Sequence, residues 1–238
     1  MLLQLAKKHI RWGFDKMRAA IKAQGYEWNH KRIRRIYCEL KLNLRIKPKK
    51  RLPSREKRCL EQPINPNYCW SIDFMSDALI TGQKFRTFNV LDDFNRECLG
   101  IFVNKNMPAN TVTNYLDFIA ESRGYPKAIR LDNGPEFIAK IFLKWANSHG
   151  IEIMHIQPGK PSQNAFIERF NRTYREDVLD AYWFSSITEV RKITDQWLYE
   201  YNYERPHNAL NNLTPKKFLA SFKNGLAGNG LSNSMILQ

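Results

Sequence analysis

The sequence predicts an α/β protein: a mixed five-stranded sheet flanked by helices and preceded by an all-α segment. Three observations carry this reading. First, the 238 residues hold 38 Lys and Arg against 23 Asp and Glu, and the excess of +15 sits at one end. The first 62 residues carry 19 basic and 5 acidic side chains, net +14, and the remainder 19 and 18. Second, apolar residues recur at helical spacing in that basic part, whereas from residue 68 onward they alternate as strands do. Third, the later elements run β-β-β-α-β-α-β-α, three antiparallel strands followed by alternating units, which demands a mixed sheet with helices on its faces.

Composition narrows the function class. At 43% hydrophobic and 26% charged the chain has ordinary globular usage. No apolar run approaches the ~18 residues that span a bilayer, and the opening MLLQLAKKH is too short and too quickly charged for a signal peptide. The chain therefore reads as soluble and cytoplasmic, with no membrane partner. Cys38, Cys59, Cys69 and Cys98 are scattered, without a C-x-x-C pair or histidines at zinc spacing, and are expected as reduced thiols. The positive excess suits a polyanion, double-stranded DNA ahead of an anionic membrane surface.

Residues 14–24 place Met17, Ala20, Ile21 and Gln24 at helical spacing, and Gly25 closes the helix. Asn29 is placed to cap a second helix over 30–42, with Ile33, Ile36, Tyr37 and Leu40 on one face and Lys31, Arg34, Arg35 and Lys41 on the rest. Two short helices joined by a Gly-containing turn, the second one basic, form the pattern of a helix-turn-helix DNA reader with Lys31, Arg34 and Arg35 as contacts. The alternative is a helical hairpin whose charges are merely solvated. Pro48, Pro53, Pro63 and Pro66 then lie among basic residues, so 48–66 reads as an extended linker whose Lys49, Lys50 and Arg51 track phosphates.

The second part begins with a strand that carries Trp70, Ile72 and Phe74 on one face and Ser71, Asp73 and Met75 on the other. Strands over 84–91 and 97–103 follow, joined by a turn in which Asp92 and Asp93 are read as backbone caps. A helix over 108–123 turns Val112, Tyr115, Leu116 and Ile119 inward and ends at Gly124. Then come a strand at 127–131, a helix at 136–149, a strand at 151–156 and a long helix at 163–180. An antiparallel start and the lack of G-x-G-x-x-G after the first strand exclude a dinucleotide fold.

Three carboxylates stand out. Asp73 lies inside the first strand, Asp132 ends the strand IRLD, and Glu168 lies in the long helix with 35 residues between it and Asp132. Carboxylates from sheet ends and an adjoining helix can converge on hard divalent cations, and two such ions can serve phosphodiester displacement. Spacing alone is weak support, because with 23 acids in 238 positions some pair at this distance is expected by chance, and taken singly a turn-forming Asp132 and a solvated Glu168 are the simpler readings.

The strings WSIDFMSD, LDNGPEF and QPGKPSQNAFIERFNRTYRE, followed by YNYERPHNALNNLTP, closely resemble the catalytic core of bacterial insertion-sequence transposases of the retroviral-integrase type, the DDE recombinases. The upstream GYEWNHKRIRRIYCELKL resembles the helix-turn-helix tail that precedes that core. The resemblance implies an RNase H-like fold and a metal-binding catalytic triad of Asp73, Asp132 and Glu168. It implies two Mg²⁺ ions, replaceable by Mn²⁺, and a reaction of DNA end nicking followed by strand transfer. Arg175, seven positions after the Glu, matches a basic DNA-orienting residue, and helical geometry returns it to the Glu168 face two turns on. Asn133 and Asn164 match polar positions beside the triad, and Lys160 and Arg172 join the expected DNA contacts. Residues 157–162 match a mobile loop before the catalytic helix, and His155 is read as structural or as a phosphate contact.

The resemblance also implies partners: the element's terminal repeats and target DNA, a homo-oligomer that pairs two ends, and an upstream-frame partner protein joined in this family by ribosomal frameshifting. The expected organisation is a helix-turn-helix-like segment at 1–47, a linker at 48–66, a catalytic core at 67–185, a helical extension at 186–224 and a flexible tail at 225–238. Two other functions fit the same residues: a catalytically inactive DNA-binding regulator, and a nuclease that hydrolyses without joining strands.

Overall fold

The computed structural model describes residues 1–44, 60, 62–156 and 164–225. The chain falls into two compact units, one formed by Met1–Glu56 with Tyr203–Gln238 and the other by Lys57–Asn202.

The first unit opens with three helices, α1 (Leu2–Lys8), α2 (Phe14–Ala23) and α3 (His30–Glu39). α2 ends where Gly25 takes φ 89°, and Asn29 caps α3 through its side-chain oxygen, which accepts from Lys31 N–H at 2.8 Å. α1 was not foreseen. Its Leu2, Leu5 and Ala6 pack on a small core of Trp12, Phe14, Met17, Ile21, Ile33 and Tyr37, which two helices alone could not have closed. α3 stops at Glu39, short of the expected residue 42, because Lys41 enters the left-handed region at φ 53°.

The second unit is built on a five-stranded sheet of β1 (Cys69–Ala78), β2 (Lys84–Asp92), β3 (Cys98–Asn104), β4 (Ala128–Leu131) and β5 (Glu152–His155) in the order β3-β2-β1-β4-β5. β1–β2 and β2–β3 are antiparallel, while β1–β4 and β4–β5 are parallel. The mixed sheet expected from the element order is thus observed. Trp70, Ile72, Phe88 and Val90 bury one face against α4 (Ala109–Arg123) and α5 (Lys140–Ser148). Met75, Phe85, Leu91, Ile101 and Val103 bury the other against α6 (Ala165–Tyr174) and α7 (Ile187–Tyr203). Gly100 is required on β3, since a Cβ there would lie 2.1 Å from the Tyr115 hydroxyl of α4.

Two elements differ from expectation. α5 begins at Lys140, not 136, because Asp132 turns the chain by accepting the Gly134 N–H at 2.9 Å. The helix expected to run to residue 180 is α-helical only to Tyr174, and Arg175–Leu179 form a π-helical turn. Asp92 and Asp93 are structural, as read, yet as buried ion pairs as well as caps. Asp92 accepts from Asn67 N–H and Phe94 N–H, Arg123 bridges Asp92 and Glu97 at 3.0 and 2.8 Å, and Arg130 pairs with Asp93. Among the described residues, a 3₁₀ turn at Asn208–Leu210, inside ERPHNAL, and α8 (Pro215–Lys223), capped by Thr214, follow α7. No helix among the described residues is long and apolar enough to cross a membrane.

Candidate active site

β1 alternates as the sequence requires, so Asp73 shares its face with Ser71 and Met75 and looks toward the α6 side of the sheet. Parallel pairing with β4 runs through Trp70↔Ile129 and Ser71↔Arg130, and two residues beyond that pair stand Asp73 within β1 and Asp132 just past the end of β4. Register therefore sets these two carboxylates side by side. Glu168 projects, exposed, from the first turn of α6, whose Ile167, Phe170 and Tyr174 anchor it in the core.

The Asp73 carboxylate is held on both oxygens: Oδ1 accepts from Phe74 N–H at 2.8 Å and Oδ2 from Asn171 Nδ2 at 2.7 Å. Burial pushes its pKa up to about 6, the two hydrogen bonds oppose the rise, and the Asp132 and Glu168 carboxylates add to it. Asp132 and Glu168 are thus near enough to act on Asp73, and a buried carboxylate perturbed by two others marks a candidate functional site. Their donors are hard oxygens, the chemistry that Mg²⁺ and Mn²⁺ take, so the residues fit such an ion. They do not close on a point: among the described residues no three His, Cys, Asp or Glu side chains are gathered closely enough to hold a metal.

Residues that sequence reasoning passed over complete the site. Asn171 lies three positions after Glu168, hence near the same helix face, and its Oδ1 accepts from Asn89 Nδ2 at 2.7 Å. Asn89 lies opposite Asp73 in the β1–β2 register. A buried amide in the apolar strand KFRTFNVLD was the available signal. Arg86 pairs with Glu136 and stacks over the Phe74 ring at 4.2 Å, tying the turn after Asp132 to β2. Gly134 suits that turn, since a Cβ there would lie 3.0 Å from Asp132 Oδ1.

The other expected site residues are spread more widely. Arg175, 39% exposed at its side chain, donates to the Ser76 carbonyl at 3.0 Å and lies 3.6 Å from Asp77 and 3.7 Å from Asp180. Asn133, Arg172 and His155 are exposed. Asn164 is only 3% exposed at the start of α6, and its Oδ1 has no partner. Lys31, Arg34 and Arg35 are exposed on α3, as a reading helix requires, although Arg35 pairs with Glu39 and Arg34 lies over Phe14. Lys49, Lys50, Arg51, Lys160 and the expected loop at 157–162 lie outside the described residues.

Comparison with known proteins decides the family. The Integrase core domain matches residues 64–161 and again 149–215, and an HTH-like domain matches residues 3–50. The uncharacterized 31.7 kDa protein of insertion element IS407 from Burkholderia multivorans is 40% identical over 222 residues, covering 93% of this chain and 80% of that one. The chain belongs to this family of insertion-element, transposase-like proteins with an integrase core. The uncharacterized 39.2 kDa protein of insertion element IS476 from Xanthomonas euvesicatoria is 37% identical over 97% of this chain and 66% of its own. In fold the insertion-element protein resembles a chain of the simian T-cell lymphotropic virus intasome, with TM-score 0.54 and 17% identity over 91% of this chain and 73% of that one. The strand order that brings Asp73 beside Asp132 is therefore that of an integrase-like fold.

Proposed function

We propose that the insertion-element protein is a metal-dependent DDE transposase that nicks the ends of its element and joins the freed 3′ ends to target DNA. The observation that carries this is the juxtaposition of Asp73, Asp132 and Glu168, two set by parallel register and the third by the seating of α6, with the Asp132 and Glu168 carboxylates both acting on Asp73. Asp73, Asp132 and Glu168 would hold Mg²⁺ or Mn²⁺, two ions in all. Such ions, when bound, polarise the phosphate and lower the cost of both attacking and leaving oxyanions. The chain's own part is positional. Phe74 N–H and Asn171 fix the plane of the Asp73 carboxylate, Arg86 and Glu136 fix the turn that presents Asp132, and Tyr174 and Phe170 seat the helix of Glu168.

Arg175 lies two turns beyond Glu168, and its guanidinium, half-exposed and held by a carbonyl, is suited to a DNA phosphate. Asn133 and Arg172, exposed near the triad, are placed with it as DNA contacts, and Lys31, Arg34 and Arg35 of α3 recognise the terminal repeat inside the bacterial cell. Pairing two ends calls for a homo-oligomer.

The test is an assay with labelled element ends and a target duplex in Mg²⁺. Nicked ends joined to target support the reading, hydrolysis without joining makes the protein a nuclease, and binding without cleavage makes it a regulator.

A further inference from the structure

We propose that Asn89 is a positioning residue for Asp73, acting through the side chain of Asn171; the proposal rests on the catalytic reading above. Asn89 is completely buried on β2 and faces the same side of the sheet as Asp73, its partner in the register. Its Nδ2 donates to Asn171 Oδ1 at 2.7 Å, and Asn171 Nδ2 donates in turn to Asp73 Oδ2 at 2.7 Å. The three side chains form a directed relay from the middle of the sheet to a carboxylate of the triad.

Direction is the point of the relay. A carboxamide has a donor end and an acceptor end of nearly the same shape, whereas an ionised carboxylate only accepts. Asn171 alone could turn either end toward Asp73, and the carbonyl end would repel it. Asn89 occupies the carbonyl end and so leaves the NH₂ for Asp73. With one fixed donor on each oxygen, the carboxylate keeps a set plane and retains acceptor capacity for a cation.

The same residue is a poor choice for stability. Its Oδ1 has no hydrogen-bond partner, an orphaned acceptor between Phe88 and Val90, themselves buried on the opposite face. A buried polar atom left unsatisfied destabilises a fold, and such local violations are expected at functional positions. A purely structural residue here would be apolar, as Leu91 and Phe85 are on the same face.

The experiment uses the full chain with Asn89→Leu, nearly isosteric and without a donor, beside the parent and Asp73→Asn. Asn89→Leu removes one orphaned acceptor and leaves Asn171 Oδ1 as another, so it should melt near the parent temperature, yet need about tenfold or more Mg²⁺ for half-maximal end cleavage, with the rate partly restored at saturation. The stabilisation that Mg²⁺ confers in thermal melts should move to higher metal concentration in parallel, while affinity for end DNA stays as in the parent. An unchanged metal requirement, or a cleavage loss that only follows lost stability, overturns the proposal. Asn89→Asp is the second variant: assayed beside the parent at a pH high enough to ionise it, it offers only acceptors where Asn89 offers a donor, turns Asn171 around and should raise the metal requirement further. If Asn89→Leu does not fold, Asn89→Asp with the parent's metal requirement overturns the proposal.

A parent chain that neither cleaves nor responds to Mg²⁺ refutes the catalytic reading instead. The relay is then judged by the side-chain amide protons of Asn171 in NMR spectra. Slow exchange lost in Asn89→Leu upholds it, and spectra unchanged by the substitution overturn it.

Discussion

Replacing Asp73 by Asn should stabilise the insertion-element protein in chelator while ending its chemistry. Burial and the neighbouring carboxylates raise the Asp73 pKa to about 6 from an ordinary 3.8. The folded state therefore binds this proton more tightly than the unfolded state. Its ionisation destabilises the fold fully above about pH 6, and the penalty fades as the pH falls toward 4. At about 1.4 kcal/mol for each tenfold change in proton affinity, the penalty near pH 7 is roughly 2–3 kcal/mol. An Asn carries no charge and keeps the Phe74 N–H bond, but it sets an NH₂ against that of Asn171 and forfeits about 1 kcal/mol there. The net gain is about 1–2 kcal/mol, which in a protein of this size raises Tm by roughly 3–6 °C. Thermal melts in EDTA from pH 5 to 8 would show the parent losing stability with rising pH through about 6 and Asp73→Asn following a flatter course. With Mg²⁺ added, only the parent should gain. Equal or lower stability of Asp73→Asn at neutral pH in EDTA would refute the electrostatic reasoning.

Other outcomes follow from the same geometry. Asp132→Asn and Glu168→Gln should each reduce end cleavage and strand transfer at least about a hundredfold, with gel-shift affinity for end DNA kept, since each removes a ligand charge and no bulk. Arg175→Ala should lower stability by no more than about 1 kcal/mol, because its ion pairs are partly exposed; end cleavage should fall sharply and Arg175→Lys should recover only part of it. Joint replacement of Lys31, Arg34 and Arg35 by Gln should flatten the slope of log affinity against log salt by up to about 3, measured by fluorescence anisotropy. Arg130→Met leaves the fully buried Asp93 without its cation and should cost about 3–5 kcal/mol in chemical denaturation.

Much of this was legible in the sequence because period and punctuation were clear. The alternation around Asp73, the cap at Asn29 and the stops at Gly25 and Gly124 each have a local cause, so the sheet and most helices could be placed before any tertiary contact was known. The three acids were legible by context. What stayed hidden was non-local. α1 forms because it closes a core with Trp12 and Tyr37, residues whose partners its own seven positions do not announce. The π-turn after Tyr174 breaks a periodicity that the sequence continues, and the tie from Arg175 to Ser76 spans 99 positions. Asn89 and Asn171 are 82 positions apart, and neither gives a sign of the other until sheet and helix are docked.

Strand β1 is hydrogen-bonded to β2 from Trp70 to Ala78 and to β4 over Cys69–Ser71, and that gives the three carboxylates different lifetimes in place. Amides of a strand inside a sheet exchange with solvent mainly when the sheet opens, whereas a helix fastened by side chains can lift away in a smaller event. Asp73 and Asp132 should therefore stay together as long as the sheet lasts, and Glu168 should leave whenever α6 undocks. In dilute denaturant the protein would go silent while its spectroscopic signature of folding is still complete. Deuterium uptake along α6 would rise at that same dose, ahead of β1. Loss of the proposed activity in mild perturbants would then measure one helix's attachment rather than unfolding.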